Sequence, residues 1–209
     1  MGLFGSKDTE APQQAAEGRL LRAESQVAAL TARLGETGEL LRHLDADRTL
    51  LLEALERLRP GLPAAELAET LLDLCFKPLG LACFFLALAD WEEDLLTFAF
   101  YHEAGCSRLH PSRRLSVRSG LSEQVLESRQ PLYVRTLEEG LASGSLLTAA
   151  ERATGLIPHS WYGVPLGWGE RPMGLLSFQS FQTDAFPADR RRLMDALGRI
   201  LALCLAQSR

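Results

Sequence analysis

The chain has 209 residues, of which 46% are hydrophobic, and a formal net charge of -5 at pH 7. This length fits one ordinary domain plus an extension, and the hydrophobic fraction is enough for a packed core. The negative charge and the lack of an obviously cationic face argue against nucleic-acid binding. The longest apolar run, residues 79–89, is too short for a membrane span, which needs roughly 20 residues. The N-terminus has no signal-peptide pattern.

The cysteines indicate a reducing compartment. Cys75, Cys83, Cys106 and Cys204 lie far apart in the sequence, without a Cys-x-x-Cys pair, and three of them stand in apolar runs. Buried, reduced thiols are the simplest interpretation of such a pattern. We therefore expect a cytoplasmic protein. The abundance of leucine, alanine and arginine, with no asparagine, is typical of a high-GC bacterium.

The N-terminal part predicts an extension in two pieces. Residues 1–16 contain few branched apolar residues and predict a disordered lead-in. Residues 17–59 follow a heptad repeat through six heptads in one register, interrupted at the seam by Thr37 and Arg48. The large aliphatic residues of this predicted seam are Leu20, Val27, Leu30, Leu34, Leu41, Leu44, Leu51, Leu55 and Leu58.

A narrow apolar stripe along a rod of roughly 60 Å cannot be buried by one helix in water. The heptads therefore predict a coiled coil, and a second copy of the chain is the simplest partner, as a parallel homodimer. An alternative is that the stripe packs on the globular part of the same chain, because Leu40 and Leu52 widen the apolar face. Pro60, Gly61 and Pro63 end the helix and mark a domain boundary.

Residues 62–208 predict a sheet covered by helices. Helical patterns begin near Ala64 and after Pro187, and a third occupies residues 120–129. Apolar strand patterns occupy residues 82–88, 95–101, 160–168 and 173–178. A short strand is expected at residues 131–134. Residues 136–158 predict a long loop with a possible short helix at 146–153, and such loops are usually functional or mobile.

Several of these segments resemble the GAF domain family. The resemblance is carried by V-P-L at 164–166, a glycine turn, M-G-L-L-S-F at 173–178, and Phe186-Pro187 before the last helix. A glycine-started helix followed by P-L-Y-V, at residues 120–134, is similar as well. The resemblance implies an α+β fold, a GAF-like antiparallel sheet with helices on both faces, here preceded by a long coiled-coil helix. It also implies a signalling or regulatory module, which the predicted coiled coil would make dimeric. Because no output domain is recognisable in the sequence, we expect this module to act through an unidentified signalling protein.

The same resemblance implies where a small molecule would bind. GAF domains bind ligands on the sheet face away from the first and last helices, beneath the segments that connect the middle strands. Aromatic residues, with few polar groups among them, would line such a pocket. An alternative is that these side chains fill the pocket, which would leave a pure dimerisation scaffold. The candidate lining residues are Phe98, Phe100, Cys106, Leu121, Trp161 and Gly163.

We expect no catalytic residues and no cofactor. The sequence has no supported Ser-His-Asp arrangement, phosphate loop or paired carboxylates in an apolar setting. His102, Cys106 and His110 lack a clear fourth ligand, so no metal site is predicted. The absence of asparagine argues against the cyclic-nucleotide signature of the family, and the absence of a Cys-His pair argues against bilin attachment. The remaining alternative is a free methionine sulfoxide reductase, which needs converging thiols, and Cys106 lies in the right general loop.

Overall fold

The computed structural model describes residues 7–103, 105–107, 109–117, 120–145, 147–167 and 170–207. The chain divides after Arg48 into two compact units. Helix α1, Lys7–Arg57, forms the described part of the first unit and continues into the second. None of the helices in the described ranges combines the length and apolar character that a membrane span requires.

Helix α1 begins within the segment that was predicted to be a disordered lead-in. Residues 7–16 are helical, whereas residues 1–6 lie outside the described ranges. The prediction relied on the scarcity of branched apolar residues, which limits burial. Helix extension needs no burial, and the glutamines and alanines at residues 13–16 have high helix propensity once a helix has been nucleated downstream, although Pro12 opposes a helix at its own position.

The apolar stripe of the first unit is exposed to solvent. Each of its large seam residues is more than half exposed, and Leu34 reaches 73%. Exposed side chains of this kind, placed at the a and d positions of successive heptads on one helix, form the surface that a coiled coil buries. These residues are Leu20, Val27, Leu30, Leu34, Leu41 and Leu44.

The end of the predicted seam differs from the prediction. Leu55 is 58% exposed, but Leu51 is half-buried and Leu58 is only 3% exposed. Leu58 joins Leu50 and Ala54 in a second apolar stripe, spaced four residues apart, that packs in the core of the second unit. Leu58, which directly follows α1, is therefore not available to a partner chain, because it is buried in this core.

Within the described residues, seven strands form one antiparallel sheet in the order β3-β2-β1-β7-β6-β5, with β4 also paired to β2. Two hairpins, β1–β2 and β6–β7, provide its centre, because β7 pairs with β1. The long connection from β2 to β6 then runs from one edge of the sheet to the other. The strands are β1 Cys83–Asp90, β2 Leu95–Glu103, β3 Cys106–Ser107, β4 Arg113–Arg114, β5 Leu132–Val134, β6 Ser160–Leu166 and β7 Gly174–Ser180.

Helices cover both faces of this sheet, as the predicted fold class requires. The end of α1 packs on one face with helices α2, Ala64–Cys75, and α6, Ala188–Ala206. Helix α3, Leu121–Ser128, packs on the other face through Leu121, Val125 and Leu126. The connection also contains α4, Leu137–Ala142, and α5, Ala149–Thr154. Each face buries its own hydrophobic core, which explains why β7 is buried along its whole length.

Gly174 allows the central strands β1 and β7 to approach closely. A Cβ atom at this position would lie 2.2 Å from the carbonyl oxygen of Ala87. Because backbone atoms cannot yield as a flexible side chain can, we expect Gly174→Ala to destabilise the domain by about 3 kcal/mol. Urea denaturation measures this change. Gly35→Ala is the matched control, since nothing lies within 4 Å of its added methyl group and the substitution should stabilise α1 by up to about 1 kcal/mol.

Candidate ligand-binding site

A cavity of about 640 Å³ lies between the α3 side of the sheet and the chain that connects β2 to β6. Its floor is formed by side chains of four adjacent strands, Phe85, Tyr101, Trp161 and Gln179. The opposite wall comes from the start of α3 and from residues in the range 144–152. The cavity therefore occupies the face away from α2 and α6.

Aromatic rings form one continuous wall of the cavity. Phe85 and Tyr101 stack with their ring centroids 5.6 Å apart and an interplanar angle of 6°. Phe98 meets both rings edge to face, at 5.3 and 6.0 Å. The imidazole of His110 lies 4.2 Å from Phe98 and 4.8 Å from Tyr101, so the loop after β3 extends this wall. Such contacts fix the positions of the rings along this wall.

The structure places three of the six candidate lining residues in the cavity wall. Phe98 belongs to the aromatic wall, Leu121 begins α3, and Trp161 lies on the floor with 8% of its surface exposed. The other three candidates do not line the cavity. A different local feature of the backbone accounts for each of them.

Phe100 lies on the opposite face of the sheet. A β-bulge shifts the register of β1 and β2, so that Leu86 pairs with Phe100 but Ala87 pairs with Phe98. The extra residue, Ala99, reverses the alternation of faces along β2. Phe100 consequently packs against Phe84 in the core beneath α2 and α6, with ring centroids 6.2 Å apart.

Gly163 supports the cavity without lining it. A Cβ atom there would lie 2.1 Å from Cη2 of Trp161, so the indole of Trp161 covers the space that a ligand was expected to use. Because Gly163 has no side chain, it leaves the space in which the indole of Trp161 lies, and this indole forms part of the cavity floor.

Cys106 lies on the edge strand β3 and is exposed, outside the cavity wall. Gly105, with φ +81°, provides the tight turn that returns the chain beside β2, and Cys106 pairs with Glu103 at the edge of the sheet. The sequence placed Cys106 correctly in the connection that borders the cavity. It could not indicate that a tight turn at Gly105 would pair Cys106 with Glu103 at the edge of the sheet.

Two carboxylates that the sequence analysis missed also line the cavity. Glu103 and Glu151 are only 5% and 8% exposed. Thr148 holds both of them, because its hydroxyl donates to Oε1 of Glu103 at 3.1 Å and its backbone N–H donates to Oε2 of Glu151 at 2.5 Å. The pattern Thr-x-x-Glu at 148–151 is a capping box that predicts the start of α5. Glu103 meets Thr148 only in the folded chain.

A buried ion pair joins β4 to the start of α3. Nη2 and Nε of Arg113 each lie 2.9 Å from Oε1 of Glu123, whose side chain is 2% exposed. The second oxygen of Glu123 accepts the backbone N–H of Gly120 at 3.1 Å. Arg113 also lies over the ring of Phe98, at 5.1 Å from its centroid. The charge of Arg113 is therefore matched within the protein.

The histidines of the candidate metal set lie on different faces of the sheet. His102 contacts the ring of Phe76 at 5.3 Å on the α2 side, where burial lowers the pKa of its imidazole, and His110 lies on the cavity side. Among the described residues, no group of three or more histidine, cysteine, aspartate or glutamate side chains is arranged to hold a metal ion.

Gly163→Ala should disturb the cavity floor. The added methyl group would overlap the six-membered ring of Trp161, so the indole must turn away and the domain should lose about 2 kcal/mol of stability. Thermal denaturation of the single variant measures this loss. The double variant Gly163→Ala with Trp161→Phe removes the overlapping atoms, and it should be more stable than the sum of the two single changes predicts. Purely additive losses would contradict this packing.

The architecture defines a small α+β module with a covered antiparallel sheet and a cavity beneath its longest connection. The GAF domain family matches residues 61–206, which is more than half of the chain. The chain therefore belongs to the GAF domain family. No curated protein sequence matches the chain.

Solved structures with the same fold include GAF domains of phosphotransferases and an enzyme. The GAF domain of an Acinetobacter phosphoenolpyruvate-protein phosphotransferase has a TM-score of 0.63 at 17% identity, covering 79% of this chain and 93% of that one. The corresponding domain from Coxiella burnetii has a TM-score of 0.61 at 15% identity, with coverage of 80% and 95%. The free methionine-R-sulfoxide reductase from Neisseria meningitidis, in complex with its substrate, has a TM-score of 0.59 at 20% identity, with coverage of 78% and 89%.

Proposed function

We propose that this protein is a cytoplasmic, dimeric regulatory module without catalytic activity, whose GAF domain binds a small molecule. The observation that carries this proposal is the cavity of about 640 Å³ on the α3 face of the sheet. Its volume falls in the range of about 300 to 1,000 Å³ that is usual for small-molecule sites. In the alternative of a pure dimerisation scaffold, the aromatic side chains would fill this space. Their position along the cavity wall supports ligand binding.

The exposed stripe on α1 supports the dimer. Six large aliphatic side chains, from Leu20 to Leu44, share one face of the helix and are each more than half exposed. A helix with such a stripe is stable in water when it packs against a partner, and a second copy offers an identical stripe. The described cysteines are free thiols, three of them buried, which supports a reducing compartment such as the cytoplasm.

Regulation requires that the ligand distinguish two arrangements of the protein. Described residues between 144 and 152 line the cavity, and one of them, Thr148, holds carboxylates from β2 and α5. A ligand that contacts these residues would favour one of their positions. We propose that the change reaches an unidentified signalling partner through the helices at the back of the sheet or through α1.

Native mass spectrometry of the full chain, purified from its own host under mild conditions, tests this proposal. We expect twice the 23.0 kDa chain mass and an additional mass from a retained small molecule. A dimer without an adduct, together with no metabolite that raises the melting temperature, would indicate a pure dimerisation scaffold. A monomer without an adduct would contradict both parts of the proposal.

The second candidate is a thiol-dependent reductase of the free methionine sulfoxide type, favoured by the likeness to the Neisseria meningitidis enzyme. Such chemistry needs a thiolate that attacks sulfur and a second thiol that resolves the intermediate. Burial raises the pKa of Cys75 and of Cys204, which opposes thiolate formation, whereas Cys106 is exposed. Reduction of free methionine-R-sulfoxide that disappears in Cys106→Ser would establish this enzyme. Rapid labelling of Cys106 without turnover would support the regulatory module.

A further inference from the structure

We infer that the cavity takes an organic cation, an ammonium or guanidinium group carried on an apolar body. This inference rests on the proposed ligand-binding function and adds the chemical class of the ligand. Three properties of the described cavity wall support it: its open acceptors, its occupied donors and its aromatic surface.

The open acceptors are the carboxylates of Glu103 and Glu151. Each accepts a hydrogen bond from Thr148 through one oxygen, and among the described residues the other oxygen of each accepts none. Both side chains are more than nine-tenths buried yet line the cavity. Buried carboxylates need hydrogen-bond donors or a positive charge, and a cationic N–H group supplies both.

The guanidinium of Arg113 and the backbone N–H at the start of α3, two donors well suited to an anion, are already engaged. Both Arg113 nitrogens that reach Glu123 are bonded to one of its oxygens, and the N–H of Gly120 at the start of α3 is bonded to the other. Arg152 also lines the cavity, but it is exposed at the rim, where water and salt screen its charge. An anion that used Arg113 or this N–H would therefore have to displace Glu123, whereas a cation at Glu103 and Glu151 displaces no protein group.

The aromatic wall lies beside the carboxylates. Tyr101 precedes Glu103 by two residues on β2, so both side chains project from the same face, and Tyr101 stacks on Phe85. Trp161 adds a further ring face, whereas one face of Phe98 is already covered by the guanidinium of Arg113. The faces of aromatic rings attract cations, and the attraction is stronger in a site shielded from water. The apolar body of the ligand would lie against the same rings.

The test uses three probes of matched size with the full chain. Phenethylammonium is the cation, phenethyl alcohol the neutral counterpart and 3-phenylpropionate the anion. We expect isothermal titration calorimetry to give an affinity for the cation about tenfold higher than for the alcohol, with the anion binding weakest. Choline and its neutral carbon counterpart 3,3-dimethylbutanol form a second pair, which distinguishes a quaternary ammonium ligand from a primary one.

Glu103→Gln identifies the carboxylate that carries the preference. Glutamine retains the oxygen that accepts from Thr148, so the fold should be kept, and its melting curve checks this. We expect the variant to lose about tenfold in affinity for phenethylammonium and little for phenethyl alcohol. Glu127→Gln is the control, because it removes the same charge from an exposed position on α3 outside the cavity wall.

The possible outcomes separate this inference from the proposed function. If 3-phenylpropionate binds best, or if Glu103→Gln leaves the preference unchanged, the cation inference is wrong and ligand binding itself stands. If none of the probes binds at millimolar concentration while the protein retains a host metabolite, the cation inference is wrong and the proposed ligand-binding function stands. If none binds and no metabolite is retained, both are wrong.

Discussion

Replacing Leu30 and Leu34 by glutamate should convert the proposed dimer into a monomer. Both leucines lie on the exposed stripe of α1, at 58% and 73% exposure. A coiled coil would bury four such side chains in total, each contributing about 1.5 to 3 kcal/mol. Their loss, with charges introduced at the seam, should weaken association by at least about 100-fold. Sedimentation velocity at micromolar concentration measures the change.

The matched control is Ala28→Glu with Ala32→Glu. These positions are exposed and lie outside the predicted seam, in the heptad that contains Leu30 and precedes Leu34, so the same charge is added to the outer face of the helix. We expect this variant to remain dimeric. If the unaltered protein already sediments as a single 23.0 kDa chain, or if the leucine variant stays dimeric, the seam does not mediate association.

Arg113→Met should destabilise the GAF domain by about 3 kcal/mol, because it leaves the buried charge of Glu123 without its ion-pair partner. Glu123 is 2% exposed and would keep only the N–H of Gly120. The side chain of methionine is long and apolar, so it can still pack on Phe98, which Arg113 covers in the native domain. The free energy of unfolding from urea titration measures the effect.

Two further variants test that explanation. Adding Glu123→Gln to Arg113→Met removes the unpaired charge and should restore part of the lost stability. Arg135→Met breaks the ion pair between Arg135 and Glu139, whose side chains are 64% and 39% exposed. We expect this variant to lose less than about 0.5 kcal/mol of stability. Equal losses for Arg113→Met and Arg135→Met would mean that burial does not strengthen the first pair.

Local patterns along the sequence were sufficient for most of the fold. Alternation along β6 predicts that Tyr162 and Val164 share one face and Trp161 the other, and the structure places them in the two opposite cores. Capping patterns at Thr136 and Thr148 mark the starts of α4 and α5, although only α5 was anticipated. Such signals are local because hydrogen bonds between near neighbours create them.

The candidate site was only partly predictable, because its geometry depends on departures from local regularity. The bulge at Ala99 places Phe100 on the other face of the sheet, and no residue type in β2 demands it. The meeting of Glu103 with Thr148, 45 residues apart, depends on how the connection folds over the sheet. Leu58 satisfies the heptad pattern equally well as a seam residue and as a core residue.

The GAF family was indicated by a resemblance of short motifs. The sequence by itself also determined an α+β domain preceded by a long helix with an apolar stripe. Those features arise from periodicities of two and of about three and a half residues, which each segment carries within itself. Only the tertiary structure decided that a cavity remains beneath the connection and that two carboxylates line it. The volume of a cavity and the pairing of buried charges depend on groups that are distant in the chain, so their positions follow from packing as a whole.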